Sequence, residues 1–393
     1  MIKKIISKIY SFLFNSSATL LPIKKNQILF ESFNGKLPGD NPLAIYNEVI
    51  KEIDSRYLYW GVKKQYFLEA KTQFPELNFV SRFSFKWIWV ATRAHFWVFN
   101  ARMPHWLKKN KKTTYIQTWH GTPLKRLGVD IPNVAMPGTD TSQYKKNFIY
   151  EANRWDYLIA PNKYSQEIFK TAFQFKNTFL TSGYPRNDEL VIHRQDTNYQ
   201  NELKQHIIGK TAGRVILYAP TWRDDYYISK GNYKFFMPFE LSELLSQLDQ
   251  EDTLIIRPHY LVSDSIDISG YEDRVKICVS EDINQLYLIS DLLITDYSSV
   301  MFDYSLLKRP MLFYPYDMDH YAKDLRGFYF EYSEVPGPIA LTEKNLFKYL
   351  KEFVENGKFT QVHEKEEQFY QLFNSWEQGA ASNSVVNVIL NGK

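Results

Sequence analysis

The chain has 393 residues, of which 44% are hydrophobic and 23% charged. This length favours two domains of about 200 residues each, and the composition excludes dominant disorder. The net charge of +4 is too small to indicate a nucleic-acid partner. A single cysteine, Cys278, excludes a disulfide framework and a cysteine-based zinc site, and it fits a reducing, cytoplasmic location.

Residues 1–22 predict an amphipathic helix on a membrane surface. Apolar residues recur at helical spacing among basic ones, namely Ile2, Ile5, Ile6, Ile9 and Leu13 with Lys3, Lys4 and Lys8. Charge interrupts the apolar run and no cleavage site is clear, so a signal peptide is the weaker interpretation. Packing of this helix on its own domain is an equal alternative. Since no stretch of 18 consecutive apolar residues occurs, we expect no transmembrane helix.

Residues 23–200 predict a first α/β domain. Apolar runs with strand propensity alternate with helical patterns, at residues 27–33, 57–62, 95–100, 113–118 and 157–162. Strands separated by helices form right-handed crossover units, so the sheet should be parallel. A loop rich in glycine and proline follows the first run, and Asn41 with Pro42 predicts the start of a helix after it.

Residues 201–393 predict a second α/β domain with helices at its C-terminal end. The rhythm of strands restarts at residues 214–219 and continues at 253–256, 275–279, 291–295 and 311–314. Residues 345–390 have helical patterns, and they could cross back over the first domain. We place the boundary near residue 200.

Polar and basic residues follow several of these predicted strands. His120 begins a turn with Gly121, Thr122 and Pro123, and Arg257 with His259 follows the strand at 253–256. Loops at the carboxyl ends of parallel strands share one crevice in an open α/β sheet. In that crevice the guanidiniums of Arg223 and Arg257 and the imidazole of His259 would bind phosphate oxygens.

Ser298 and Ser299 stand where a helix should start, which is a favourable place for a phosphate. Asp303 lies one turn further on the same helix face, so we assign it to a ribose or polyol hydroxyl. Each signal has a plainer alternative: a lone arginine is often a salt-bridge partner, and paired serines are often just a helix cap.

Carboxylates at Asp224, Asp225, Asp317 and Asp319 could suggest a metal site, although surface carboxylates are the commoner outcome. The chain lacks the phosphate-loop and dinucleotide glycine motifs, and it lacks the nucleophile elbow of hydrolases.

Four motifs in order, WHGTPLK at 119–125, PTWR at 220–223, RPH at 257–259 and DYSSVMFD at 296–303, together resemble the CDP-glycerol:glycerophosphotransferase family of teichoic acid synthesis. The resemblance spans about residues 28 to 389. It implies a GT-B fold, with two Rossmann-like domains whose parallel sheets face a central cleft. It also implies a peripheral enzyme on the cytoplasmic face of the membrane, with an undecaprenyl-diphosphate-linked saccharide or a polyol-phosphate chain as acceptor.

The implied reaction transfers a polyol phosphate from CDP-glycerol to an acceptor hydroxyl and releases CMP. His120 is then the expected general base, and His259 a catalytic group that stabilises charge on the diphosphate. A histidine that only hydrogen-bonds phosphate is the plainer alternative for His120. Substrate binding falls to Gly121, Thr122, Pro123, Leu124, Arg186, Thr221, Trp222, Arg223, Arg257, Pro258, Ser298, Ser299 and Asp303.

Several alternatives stay open at this point. Family members that use CDP-ribitol share these motifs, so the polyol could be ribitol. A sugar-nucleotide glycosyltransferase on the same fold would release a nucleoside diphosphate, and a non-catalytic carbohydrate- or membrane-binding protein would release nothing. We expect no required cofactor, although magnesium could take part, and no nucleic-acid partner. The motifs do not choose between one addition and polymerisation, or between wall teichoic acid and capsule.

Overall fold

A computed structural model describes residues 2–134, 140–221, 227–229, 232–233, 237–258, 266–318, 327–360 and 362–391. By the packing of Cα atoms the chain forms two compact units. The first unit comprises Met1–Thr122, Arg126–Asp188 and Trp376–Lys393, and the second comprises Pro123–Lys125 and Glu189–Ser375.

The first unit is built on a parallel sheet whose described strands number seven, in the order β3-β2-β1-β4-β5-β6-β7. The strands are β1 (Lys24–Glu31), β2 (Leu58–Val62), β3 (Phe79–Ser81), β4 (Ala94–Phe99), β5 (Thr114–Gln117), β6 (Tyr157–Ile159) and β7 (Thr178–Leu180). The five runs predicted from the sequence are all strands. The two additional strands, β3 and β7, each contain only two consecutive apolar residues, too short a run to indicate a strand.

The helices with most of their length in the first unit are α1 (Ile2–Leu20), α2 (Asp40–Val49), α3 (Phe67–Gln73), α4 (Phe85–Arg93), α5 (Thr141–Ala152), α6 (Lys163–Ala172) and α14 (Ala381–Asn391). Several begin at a side-chain cap of the expected kind: Ser84, Asp140 and Asn162 each accept from a main-chain nitrogen in the first turn. Helix α2 differs from the prediction. It begins at Asp40 after Gly39, so Asn41 lies inside its first turn.

Two apolar cores cover the two faces of this sheet, and both contain several large aromatic residues. On one face Phe30 stacks on Trp60 with ring centroids 5.3 Å apart. On the other, Trp119 packs against Phe173 at 4.6 Å. The high aromatic content of the chain is therefore used largely for core packing.

The second unit is built on another parallel sheet, with the order β12-β11-β8-β13-β14 among its described strands. These are β8 (Val215–Tyr218), β11 (Thr253–Ile256), β12 (Val275–Ile277), β13 (Leu292–Thr295) and β14 (Met311–Phe313), and a separate antiparallel pair is formed by β9 (Tyr227–Ser229) and β10 (Asn232–Tyr233). All five strands of the parallel sheet were predicted. The prediction of an α/β fold with two parallel sheets is thus confirmed.

The remaining described helices are α7 (Asp188–His193), α8 (Thr197–Ile208), α9 (Leu241–Ser246), α10 (Ile283–Ile289), α11 (Val300–Tyr304), α12 (Glu343–Asn356) and α13 (His363–Asn374). Among the described residues, no helix is both long and apolar enough to cross a membrane.

The last helix belongs to the first unit. The carboxylate of Asp188 accepts from the main-chain nitrogens of Ala381 and Ser382, each at 2.8 Å. Glu377 also accepts from the main-chain nitrogen of Tyr184 at 3.0 Å. This grouping differs from a division at residue 200 with all C-terminal helices in the second domain. Contacts between residues about 190 positions apart determine it.

Both sheets share one topological feature. In each sheet the first strand of the chain is an interior strand. The next strands along the chain are added on one side of it, and the later strands are added on its other side. The order therefore reverses between β1 and β4 in the first unit and between β8 and β13 in the second. Ligands of open α/β sheets bind beyond the carboxyl ends of the strands at such switch points.

Candidate active site

His120 lies just beyond the carboxyl end of β5, on a tight turn. The preceding Trp119 has a φ of 53°, in the left-handed region that bulky residues rarely adopt. The side-chain oxygen of Gln117 accepts from the main-chain nitrogen of Trp119 at 2.9 Å and so supports this turn. The ring of Trp119 stacks on the imidazole with centroids 4.6 Å apart. Strained backbone of this kind clusters at functional sites because the surrounding structure must hold it.

The Nδ1 atom of His120 lies 2.7 Å from the main-chain oxygen of Asn100, which follows β4. A carbonyl oxygen can only accept, so Nδ1 must donate to it. The neutral imidazole therefore carries its proton on Nδ1, and Nε2 has a free lone pair for a proton from another group.

A closed hydrogen-bonded ring surrounds this contact, which we call the His120 ring (His120, Asn100, Asp40 and Arg186). Asn100 donates through Nδ2 to Oδ2 of Asp40 at 2.5 Å. The other carboxylate oxygen of Asp40 is 2.6 Å from Nη1 of Arg186, and that nitrogen donates to the main-chain oxygen of His120 at 2.9 Å. Each member comes from a different segment of the first unit.

Asn100 and a second asparagine tie the ring to its surroundings. Asn100 accepts through Oδ1 from the main-chain nitrogen of Phe33 at 2.7 Å, which joins the loops after β1 and β4 at the switch point. Asn41 donates to the main-chain oxygen of Trp119 at 3.2 Å and accepts from the main-chain nitrogen of Arg186 at 3.1 Å. His120, which follows the next strand β5, is thus held beside the switch point of the first sheet.

The pKa of His120 is lowered from its ordinary value. Burial is the largest cause; the hydrogen bond to Asn100 and the charge of Asp40 oppose it, and the charge of Arg186 adds to it. The residue nevertheless keeps an exposed surface. The lowered pKa and this exposure suit a neutral base that solvent or a substrate can reach.

In the second unit, Thr221 and Asp296 meet at the switch point. The main-chain nitrogen of Thr221 donates to Oδ1 of Asp296 at 2.8 Å, which joins the loops after β8 and β13. The main-chain oxygen of the buried Asp296 accepts from the hydroxyl of Tyr332 at 3.0 Å. These bonds fix the backbone of both loops at the place where open α/β sheets bind their ligands.

Arg257 and Pro258 follow the neighbouring strand β11. The guanidinium of Arg257 donates to the main-chain oxygen of Cys278 at 3.1 Å and lies 3.9 Å from the carboxylate of Glu281. Burial lowers the pKa of Arg257, and the charge of Glu281 opposes this. Arg257 therefore has a structural partner, as the plainer alternative held, while it stays at the carboxyl edge of the sheet.

Ser298 and Ser299 precede helix α11, as predicted. Ser299 is exposed and makes no side-chain capping bond, whereas Ser298 accepts weakly from the main-chain nitrogen of Val300 at 3.5 Å. Asp303 lies on that helix and is buried. The helix has only five residues, so its dipole is weaker than the sequence suggested.

Some predicted site residues lie in the first unit and others in the second unit, and a third group lies outside the described residues. Gly121, Thr122 and Arg186 lie in the first unit. Pro123 and Leu124 are grouped with the second unit, where Leu124 accepts from the main-chain nitrogen of Tyr329 at 2.9 Å. Thr221, Arg257, Pro258, Ser298, Ser299 and Asp303 follow neighbouring strands of the second sheet. Trp222, Arg223 and His259, like Asp224, Asp225 and Asp319, lie outside the described residues.

Sequence reasoning missed Asp40, Asn100 and Asp296 as structural parts of these sites. Asn100 and Asp296 each follow an apolar run directly, which is a usable signal. No sequence pattern indicates Asp40. In the structure its φ of 57° places it in the left-handed region, a strained conformation that clusters at functional sites. Among the described residues, no group of three or more His, Cys, Asp or Glu side chains is arranged to hold a metal ion.

Comparison with known proteins agrees with this arrangement. The family model of CDP-glycerol:poly(glycerophosphate) glycerophosphotransferases matches residues 13–391. The chain is 45% identical, over 98% of its length, to the teichoic acid poly(glycerol phosphate) polymerase of Bacillus subtilis, and spans about half of that protein. It is also 45% identical to the teichoic acid glycerol-phosphate transferase of Staphylococcus aureus, with 99% of this chain and the whole of that protein aligned.

A solved structure is similar throughout. A variant of the wall teichoic acid polymerase TagF, soaked with CDPG (CDP-glycerol), superimposes with a TM-score of 0.89 at 42% identity, covering 100% of this chain and 95% of that one. The UDP-GlcNAc 2-epimerase of Neisseria meningitidis, at 13% identity and a TM-score of 0.53 over 93% of this chain and 100% of that one, shares the fold alone.

Relatives that use ribitol are more distant. The teichoic acid poly(ribitol-phosphate) polymerase of Bacillus spizizenii is 27% identical over 99% of this chain and 60% of its own length. The family and the relatives at 45% identity confirm the prediction of a CDP-glycerol glycerophosphotransferase. With a family match over almost its whole length, the chain belongs to the CDP-glycerol:poly(glycerophosphate) glycerophosphotransferases.

Proposed function

We propose that this chain transfers glycerol phosphate from CDP-glycerol to a hydroxyl of a lipid-linked or growing teichoic acid or capsule acceptor, and releases CMP. The observation that carries the proposal is the contact between His120 Nδ1 and the Asn100 carbonyl oxygen in a chain of this family. It leaves Nε2 free to take the proton of the attacking hydroxyl.

The reaction balances without a covalent enzyme intermediate. The acceptor oxygen bonds to the phosphorus nearer the glycerol, and the bond from that phosphorus to the oxygen bridging it to CMP breaks. The acceptor proton goes to Nε2 of His120, and CMP leaves with the bridging oxygen. Phosphoryl transfer of this kind depends mainly on positioning and on neutralising charge.

The donor-binding role falls to the loops at the carboxyl edge of the second sheet. We assign the diphosphate to Arg257 and to the main chain and hydroxyls at Ser298 and Ser299, and a polyol or ribose hydroxyl to Asp303. Thr221 and Pro258 border the same loops. The assignments of His259, Trp222 and Arg223 to charge stabilisation and donor binding remain sequence predictions, as do those of Gly121, Thr122, Pro123 and Leu124.

We also assign Arg186 to the donor side, as the sequence predicts. Its guanidinium contacts Asp40 and the main-chain oxygen of His120, so it lies beside the proposed base.

The test is to supply CDP-glycerol and CDP-ribitol separately with a lipid-linked disaccharide acceptor. We expect CMP release with CDP-glycerol, and the length of the product separates one addition from polymerisation. Release with CDP-ribitol alone would support the ribitol alternative. Release of a nucleoside diphosphate from sugar nucleotides would support a glycosyltransferase, and no release at all would support a binding protein.

We also propose that helix α1 lies on the cytoplasmic face of the membrane, as the pattern in residues 1–22 predicts. One side of α1 packs on its own unit: Phe14 is fully buried against Trp87, and Asn15 bonds the main-chain oxygen of Trp106 at 3.1 Å. The other side exposes Phe12 by 70% and Leu20 by 79%. One side of the helix thus packs on its own unit, and the exposed apolar side chains on the other side support the proposed contact with a membrane.

Flotation with anionic phospholipid vesicles tests this placement. Phe12→Glu should reduce binding to the vesicles, because the exposed apolar side chain would become charged. Leu372→Glu is the matched control, since Leu372 is 52% exposed on α13 of the second unit. Equal binding by the wild type and Phe12→Glu would contradict the placement.

A further inference from the structure

The His120 ring joins four segments of the first unit that are distant in sequence. Its members reach His120 across large separations: Asn100 and Asp40 are 60 positions apart, and Arg186 and Asp40 are 146 apart. The side chains of both Asp40 and Arg186 are shielded, with relative exposures of 6% and 12%. A shielded ion pair is costly to form from water, so its persistence beside a proposed base needs an explanation.

Backbone strain is concentrated at the same place. Phe33, Asn34, Asp40 and Trp119 all have φ values between 47° and 61°, and all belong to the segments that the ring and its bonds connect. Such conformations cost of order 1–3 kcal/mol each and persist where surrounding contacts enforce them. In Asp40 this conformation begins helix α2 and directs the carboxylate to both Asn100 and Arg186.

We propose that Asp40 and Asn100 are positioning residues for His120, fixing the orientation of the imidazole and its proton on Nδ1. The inference rests on the proposed role of His120 as the base. Asn100 does this through its main-chain oxygen, whose place its own side chain secures between Phe33 and Asp40. Asp40 acts through Asn100 and through Arg186, which holds the main chain of His120.

The alternative is that the ring only stabilises the fold. The two differ in what happens to the imidazole. If the His120 ring positions the imidazole, disturbing its hydrogen bonds lets the imidazole rotate, and its proton redistributes between Nδ1 and Nε2. If the ring is merely structural, disturbing it lowers stability and leaves the tautomer as it was.

Two substitutions disturb the ring without touching the imidazole contact itself. Asp40→Asn removes the charge, and asparagine tolerates the left-handed conformation well. Asn100→Ala removes the side-chain bonds and keeps the main-chain oxygen. Asn78→Ala is the matched control, because half-buried Asn78 bridges the main-chain oxygens of Ser55 and Leu58 near the amino ends of strands in the same unit.

We expect a fall in kcat of about 10- to 100-fold in Asp40→Asn and Asn100→Ala, since a misplaced base costs turnover more than binding. KM for CDP-glycerol should change less than kcat. The acidic limb of the kcat profile should move to lower pH in Asp40→Asn, because the Asp40 charge raises the pKa of His120 against burial and Arg186. Asn78→Ala should alter thermal stability alone.

Nitrogen-15 NMR of labelled histidine gives a readout independent of activity, with the His120 signals assigned by their loss in His120→Gln. The wild type should show the Nδ1–H tautomer, and both ring variants a mixture. A wild type with its proton on Nε2 overturns the inference without any variant. The inference is also overturned if Asp40→Asn and Asn100→Ala fold and keep the wild-type tautomer of His120 and the wild-type acidic limb of the kcat profile. Full turnover by His120→Gln would instead refute the proposed base, and with it the proposed mechanism.

Discussion

The main-chain nitrogen of Thr221 donates to Oδ1 of Asp296 across the point where the second sheet reverses its order. A carboxylate so placed connects two loops that leave adjacent strands, and it is buried. It therefore fixes loop geometry at the place where open α/β sheets bind their ligands.

Asp296→Ala should weaken the binding of CDP-glycerol, measured by calorimetry, and lower the free energy of unfolding by about 1–3 kcal/mol. The cause is the loss of the acceptor for Thr221 N–H. Asp296→Asn keeps an acceptor oxygen and should bind more nearly as the wild type does. Asp252→Ala is the control: Asp252 accepts from the main-chain nitrogen of Arg214 at 2.8 Å at the amino edge of the same sheet. Equal loss of donor affinity in both alanine variants would contradict a local role for Asp296.

His120→Ala should reduce kcat about 10²- to 10⁴-fold, the usual contribution of a general base. Donor binding by calorimetry should survive, because the base acts on the acceptor. His95→Ala serves as control, since His95 lies near the amino end of β4 and burial also lowers its pKa. If donor affinity falls as far as turnover in His120→Ala, the histidine is a phosphate ligand and not the base.

The pH dependence of turnover follows from the same imidazole. Its pKa is lowered, mainly by burial, so the neutral form persists to lower pH than for an ordinary histidine of pKa about 6.5. A base must be neutral to accept a proton, so activity should be lost only as the pH falls below that ordinary value. The kcat profile should be level through pH 7 on its acidic side. If kcat instead begins to fall above pH 7 as the solution is acidified, a group other than His120 controls the acidic limb.

The first unit also contains a buried ion pair whose loss should be costly. Arg82 Nε lies 2.8 Å from Oε2 of Glu31, and Trp87 donates to the other carboxylate oxygen at 2.8 Å. Glu31→Gln leaves the guanidinium uncompensated, so the first unit should lose about 3–5 kcal/mol in urea unfolding.

The exposed pair of Glu167 and Lys170 provides the comparison for that measurement. The nitrogen and oxygen are 2.7 Å apart, but both side chains are about half exposed. Glu167→Gln should therefore change stability by less than about 1 kcal/mol. Similar losses in the two variants would mean that burial of Glu31 does not decide its contribution.

Much of the fold was predictable because it depends on local patterns. Continuous apolar runs identify strands buried on both faces of a parallel sheet, and such runs gave all five strands of the second parallel sheet. The motifs after those strands also indicated the family. Strands β3 and β7 are missed because each contains only two consecutive apolar residues. The sequence indicates that the C-terminal helices could cross back over the first domain, and the bonds of Ala381 and Ser382 to Asp188 decide that α14 packs in the first unit.

By itself, the sequence determined the α/β class, the reactive turn at His120 and the family to which the chain belongs. The tertiary structure alone decided which groups surround that turn. Asn100, Asp40 and Arg186 are distant in sequence, and nothing in their local patterns links them to His120. Local propensity and periodicity report neighbours along the chain, whereas the direction of a lone pair on an imidazole depends on an oxygen that folding brings to it.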